Sequence, residues 1–122
     1  MMPTISRNPS STEGGDPLWG RVTTVQSDVL RLCGAVAGRG HRERWDRQAR
    51  REMEEGLSAL RQATGCDFGF DLRAWHRFLV GSPLRAPYTY PPTWTEVRAA
   101  LRDAIRSPGR AQFVEGDRAR QN

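Results

Sequence analysis

An all-α fold is predicted for this chain by three features of its sequence. Apolar residues recur three and four positions apart through most of the middle of the chain, which is the spacing of one helix face. Clusters of glycine and proline separate these periodic stretches, as helix ends require. No segment alternates apolar and polar residues as a half-buried strand does. We therefore expect a small four-helix domain, an antiparallel helical hairpin plus two shorter helices, with disordered termini.

Length and composition predict one domain with solvated ends. The chain has 122 residues, of which 37% are hydrophobic, and a mean hydropathy of −0.69. This length suits a single core. We expect a disordered N-terminal segment at 1–15, a helical domain at 16–107 and a flexible C-terminal tail at 108–122. Because the sequence has neither an apolar run long enough to span a membrane nor a signal-peptide pattern, a cytoplasmic protein without membrane contact is expected.

The first two helices are predicted to form the hairpin. The first begins at Asp16-Pro17, continues to Val36 and stops at Gly38–Gly40, because Asp caps helices and glycine ends them. The second covers about 42–63, and its inner face carries Trp45, Ala49, Met53, Leu57 and Leu60. A short connection between helices of similar length favours antiparallel packing.

Two shorter helices are predicted to complete the domain. The third starts at Asp71 and buries Trp75 beneath the proline-rich segment 83–92, which we expect to be extended and stiff. The fourth starts with a capping box made by Thr93 and Glu96.

The proline-rich segment 83–92 has two interpretations. Tyr88 and Tyr90 either fold back over Trp75 and Trp94 or form a ligand motif for an SH3- or WW-type groove. The first is favoured because stiff aromatic loops between core helices commonly close small cores.

One segment resembles part of a known family. Residues 64–79 contain a Thr-Gly turn, an Asp-Phe-Gly-aromatic-Asp stretch and a short helix with an inward Trp. This pattern resembles the segment that follows the last helix in bacterial HEAT-repeat-type proteins, and it is carried by Thr64, Gly65, Asp67, Phe68, Gly69, Asp71 and Trp75. The departures are Cys66, Leu72 and Phe78. The resemblance implies a scaffolding or binding role without chemistry, and it assigns no functional residue.

No catalytic, metal or cofactor site is predicted. Cys66 and His76 lie near each other in the sequence, but a metal site needs further ligands and a nucleophile needs an oriented base. The acids Glu52, Glu54 and Glu55 lie within one turn of several arginines, which indicates a solvated salt-bridge face. A DNA-binding helix-turn-helix would use Arg73, His76 and Arg77, but the connection before them is too long.

The charge distribution provides the strongest functional indication. All 19 basic residues are arginines, for which a GC-rich coding sequence is the simplest explanation. Residues 1–72 hold ten arginines and ten acids, whereas residues 73–122 hold nine arginines and four acids, so the second part carries the whole net charge of +5. The resulting concentration of positive charge on the third and fourth helices and the tail favours an acidic partner.

Three of these arginines are expected to form one row on the fourth helix. Arg98, Arg102 and Arg106 follow at i,i+4, and Arg73 and Arg77 belong to the third helix. We expect a non-catalytic protein-interaction module (adaptor, regulator or small subunit) that binds an acidic protein surface through these five residues. The alternative function is weak nucleic-acid binding through the same arginines. A purely structural alternative is that their stems border the core.

Overall fold

Six helices make up the part of the chain that the structure describes. The computed structural model describes residues 22–35 and 44–121, and within these ranges the all-α class is confirmed, with no strand. The helices are α1 (Thr24–Cys33), α2 (Arg47–Thr64), α3 (Leu72–Val80), α4 (Arg85–Tyr88), α5 (Pro91–Arg106) and α6 (Pro108–Gln121). None of them is long and apolar enough to cross a membrane.

Helix α1 is shorter than predicted. Thr23 has an extended backbone and forms a capping box with Gln26, so a continuous helix through residue 22 is excluded. The helix ends at Gly34, whose φ of 78° is left-handed and suits glycine. Gly34 therefore ends the helix in place of the predicted stop at Gly38–Gly40, which is wrong. The predicted start at Asp16-Pro17 and the predicted disorder of 1–15 lie outside the described residues.

Helix α2 begins at Arg47, about five residues later than predicted. The side chain of Asp46 accepts a hydrogen bond from Ala49 N and thereby caps the helix. Trp45 therefore precedes the helix, and its ring lies 5.5 Å from that of Phe113. The helix ends at Gly65, where the sequence places its stop.

The hairpin helices α1 and α2 approach each other closely at Gly56. A Cβ atom at this position would lie 2.6 Å from the backbone oxygen of Asp28 and 2.9 Å from Leu32 N. Because real side chains do not approach backbone atoms so closely, only glycine permits this crossing.

Residues 83–92 are not an extended loop. They contain the short helix α4, and Pro91 and Pro92 begin α5, where proline loses no helical hydrogen bond. The predicted capping box of Thr93 and Glu96 is also wrong. The Thr93 side chain is buried and donates instead to the Gln26 side chain over 2.6 Å.

Helix α6 replaces the predicted flexible tail. Arg110 is buried, and its guanidinium donates to Leu32 O and Phe70 O, both at 3.0 Å. Ser107 Oγ accepts from Arg110 N, so the first turn is capped. The low apolar content of residues 108–122 predicts a flexible tail. Instead of a large apolar face, two kinds of contact hold helix α6. The buried guanidinium of Arg110 donates hydrogen bonds to backbone carbonyls, and Phe113 packs against Trp45.

The core joins side chains from the first five helices. Its largest fully buried members are Trp75, Tyr88, Leu30, Leu32, Met53, Leu60 and Leu79. The burial predicted for Trp75 is confirmed, since only 1% of its surface is exposed. Its indole N–H donates to Gly69 O at 2.8 Å, and its ring meets Phe68 edge-on at 4.9 Å.

We expect Trp75→Ala to reduce the free energy of unfolding by about 3–5 kcal/mol, because it leaves a large cavity and an unpaired carbonyl at Gly69. Thermal denaturation measures the loss. Tyr90→Ala is the control, since Tyr90 is 41% exposed, and it should change stability by about 0.5 kcal/mol or less. A Trp75 variant that melts within two or three degrees of wild type contradicts the burial of this side chain.

A second expectation concerns the buried Asp28. Burial raises the pKa of its carboxyl to about 6, and Arg31 opposes this rise in part. The folded state therefore holds this proton more tightly than the unfolded state, so the stability contribution of Asp28 falls as the pH rises from about 4 through 6. Asp28→Asn should raise the melting temperature at pH 7.5 and have little effect at pH 4. Asp103→Asn, an exposed control, should show no such pH dependence.

Candidate arginine groove

A groove of about 440 Å³ lies between α3 and α5. It is lined by Arg73, His76, Arg77, Arg98, Leu101, Arg102, Ile105 and Arg106. All five arginines singled out from the sequence therefore line one concave surface, which we call the arginine groove. The sequence predicts their rows on two helices but not the concavity between them.

The two helices contribute their side chains in a regular order. On a helical wheel at about 100° per residue, His76 lies at the edge of the buried face of α3, and Arg73 and Arg77 lie beyond it. On α5, Leu101 belongs to the buried face and Ile105 lies beside it. Leu101 is buried, whereas Ile105 and His76 are half-buried, so these three form a largely apolar floor.

The arginines form the two walls of the groove. Arg73 and Arg77 are exposed on α3, and Arg98, Arg102 and Arg106 are exposed on α5. At a rise of 1.5 Å per residue, successive arginines on each helix stand about 6 Å apart along its axis, and the α5 row is about 12 Å long. The groove thus has cationic walls on both sides of its floor.

Among the described residues, no acid lines the groove to balance these charges. Two other arginines of the described chain have carboxylate partners: Arg50 pairs with Glu54 at 3.5 Å and Arg61 with Asp67 at 3.0 Å. Among residues 22–35 and 44–116, no ion pair joins any of the five groove arginines to an acid. Their positive charges are therefore available to a ligand.

His76 is fixed in the floor by two aromatic neighbours. Its ring stacks on Trp94 with an interplanar angle of 4° and a centroid distance of 6.2 Å. Its Nδ1 lies 2.7 Å from the Tyr88 hydroxyl. Burial, followed by the positive charge of Arg98, lowers the pKa of His76 below its ordinary value. Both effects favour the neutral form of the imidazole.

The partner of His76 determines which nitrogen carries the proton. Tyr88 is fully buried, so its hydroxyl hydrogen needs a protein acceptor, and Nδ1 of His76 is its partner in the described chain. We therefore assign the O–H as donor and Nδ1 as acceptor, which places the histidine proton on Nε2. His76 then offers an uncharged N–H donor beside the arginines.

Gln26 bonds to the end of α4, which carries Tyr88, and to the first turn of α5. Its amide nitrogen donates to Tyr88 O at 3.0 Å, and its Oε1 accepts from the Thr93 hydroxyl and from Thr23 N. Gln26 is fully buried. It is not among the residues singled out from the sequence, although Thr23 and Gln26 carry the spacing of a capping box.

Tyr88 and Tyr90 behave differently from each other. Tyr88 packs against Trp94 at 5.0 Å, as the core interpretation predicts, and its hydroxyl lies 2.7 Å from Nδ1 of His76. Tyr90 is exposed. Because α4 interrupts the segment, an extended ligand motif for an SH3- or WW-type groove is not formed there.

The other arrangements considered from the sequence do not assemble. His76 bonds to Tyr88 and the backbone N–H of Cys66 bonds to the Thr64 hydroxyl, and no hydrogen bond in the described part of the chain joins Cys66 to His76. Both cysteines are free thiols, and burial raises the pKa of Cys33 to about 12. Within the described ranges, no three His, Cys, Asp or Glu side chains are grouped as metal ligands would be.

Comparisons with protein families, with curated proteins and with solved structures find no match to this chain. The resemblance of residues 64–79 to HEAT-repeat-type proteins therefore stays a prediction. Its matching residues have local structural roles: Gly65 ends α2, Asp71 caps α3 and Trp75 bonds to Gly69.

The tautomer of His76 can be measured directly. We expect ¹⁵N NMR of the His41→Gln variant, which leaves His76 as the only histidine, to show protonated Nε2 and unprotonated Nδ1 at pH 7.5. Tyr88→Phe in the same background should shift the population towards the other tautomer, because Nδ1 loses its donor. A protonated Nδ1 in the protein that retains Tyr88 contradicts the assignment.

Proposed function

We propose that this chain is a non-catalytic protein-interaction module, an adaptor, regulator or small subunit, that binds an acidic surface of a partner protein in the arginine groove. One observation carries the proposal: five arginines without carboxylate partners among the described residues converge on a groove with a largely apolar floor. We further propose a cytoplasmic location, which the two free thiols support.

The chemistry of the walls suits carboxylates. A guanidinium group presents paired N–H donors that match the two oxygens of a carboxylate, and such charge-assisted bonds are among the stronger hydrogen bonds. In the isolated helix, Arg98, Arg102 and Arg106 repel one another by a few tenths of a kcal/mol per pair. An acidic partner removes this repulsion, so its binding gains from the same arrangement that disfavours the free helix.

The chemistry of the floor favours a protein over a nucleic acid. Grooves that bind single strands combine positive charge with aromatic faces on which bases stack. Here the floor consists of Leu101, Ile105 and His76, two of which are aliphatic, and the His76 ring lies parallel to that of Trp94 and is the one aromatic ring among the residues that line the groove. Aliphatic side chains of a partner protein fit such a floor better than bases do.

We expect the triple variant Arg98→Gln, Arg102→Gln, Arg106→Gln to keep or slightly raise the melting temperature, because like charges are removed from α5. The same variant should bind the partner at least tenfold more weakly, which is about 1.4 kcal/mol. Affinity capture identifies the partner, and calorimetry with the full chain measures the binding.

A matched variant separates the groove from net charge. Arg44, Arg47 and Arg51 are exposed and lie outside the groove, so changing all three to Gln removes the same charge and should leave the affinity nearly unchanged. If the wild type and the triple Gln variant of Arg98, Arg102 and Arg106 bind the partner equally well, the proposal is contradicted. Binding to unrelated DNA with a steep salt dependence would instead establish the nucleic-acid alternative.

A further inference from the structure

We infer that the segment received by the arginine groove is an amphipathic acidic helix, with an apolar ridge on the floor and carboxylates facing both walls. This inference rests on the proposed function and specifies the partner more closely. It follows from the arrangement of charged and apolar side chains around the groove.

The groove presents three surfaces to a ligand at once. Arg73 and Arg77 form one wall, the α5 arginines form the other, and Leu101, Ile105 and His76 lie between them. An extended strand directs its side chains to two opposite faces, so a strand that fills the floor has its other side chains pointing away from it. A helix distributes its side chains all round and can place acids on both flanks of an apolar ridge.

The spacing along the walls agrees with a helical ligand. Arginines four residues apart on α3 and on α5 stand about 6 Å apart along each axis. Acids at i and i+4 of a ligand helix that lies along the groove repeat at the same distance. The row from Arg98 to Arg106 then spans about two turns, enough for three carboxylates on that flank. In coiled coils, charged positions beside an apolar seam set partner choice in the same way.

A second copy of this chain does not supply such a helix from its described part. The acids there are dispersed or engaged: Glu54 pairs with Arg50, Asp67 pairs with Arg61, and Asp71 caps α3. The exposed face of α2 mixes acids with arginines. The described helices of a second copy therefore do not provide the ligand, and we assign the groove to a segment of a different protein.

Synthetic peptides test the inference on the full chain even while the natural partner is unidentified. The first is an acidic peptide of about 18 residues, long enough to form a helix, with leucines along one face and glutamates on both flanks. The second has the same composition in scrambled order, the third has a central proline, and the fourth has glutamine in place of glutamate. Fluorescence anisotropy at about 0.15 M salt measures binding, and circular dichroism measures helix formation.

We expect the first peptide to become helical on binding and to bind at least tenfold more tightly than the other three. The Arg98, Arg102 and Arg106 to Gln variant should lose this binding. Ile105→Ala, in the floor, should weaken it, whereas Val80→Ala should not, since Val80 is half-buried against the core outside the groove.

Failure of the inference and failure of the proposed function are distinguishable. If the first three peptides bind equally and the triple variant loses all of them, the inference of a helix is overturned and the proposed function stands. If no acidic peptide binds more tightly than the glutamine peptide, both are overturned. A single-stranded oligonucleotide that binds more tightly than every peptide also overturns both, in favour of nucleic acid.

Discussion

The rest of this structure depends on the hydrogen bonds made by the buried side chain of Gln26. It closes the capping box of α1, bonds the backbone at the end of α4 and accepts the Thr93 hydroxyl in the first turn of α5. One amide group thus joins the hairpin to the start of the helix that carries three of the groove arginines. Because a buried donor or acceptor left unpaired costs about 1–3 kcal/mol, the loss of any one of these bonds destabilises the arrangement. They also hold Tyr88, which in turn orients His76 in the groove floor.

The features predicted from the sequence are those that depend on local periodicity. Apolar spacing and glycine stop signals predict four of these features: the all-α fold class, the hairpin, the inward face of α3 and the burial of Trp75. The two arginine rows also follow from spacing alone, since their residues share single helices. What brings the two rows to one groove is the packing of α3 against α5, which no local pattern encodes.

The features that were missed depend on polar side chains paired over long sequence distances. Thr93 has a strong capping signal, but its hydroxyl bonds to Gln26, which is 67 residues away in sequence. Helix α6 has little apolar character and is held by Arg110, whose partners Leu32 and Phe70 are 78 and 40 residues away. Tertiary bonds of this kind override local preference. A polar residue that the sequence pattern assigns to the surface can therefore be buried and central to the fold.

The division between walls and floor has a kinetic consequence for any acidic ligand of the groove. Exposed arginines attract such a ligand through the solvent, so the walls govern the rate of encounter, and salt slows that step. The floor of Leu101, Ile105 and His76 is shielded from water once the ligand is seated, so it governs how long the complex lasts, a quantity that salt affects less. Arrival and departure are thus controlled by different residues, and substitutions in one set can alter one rate while leaving the other nearly unchanged.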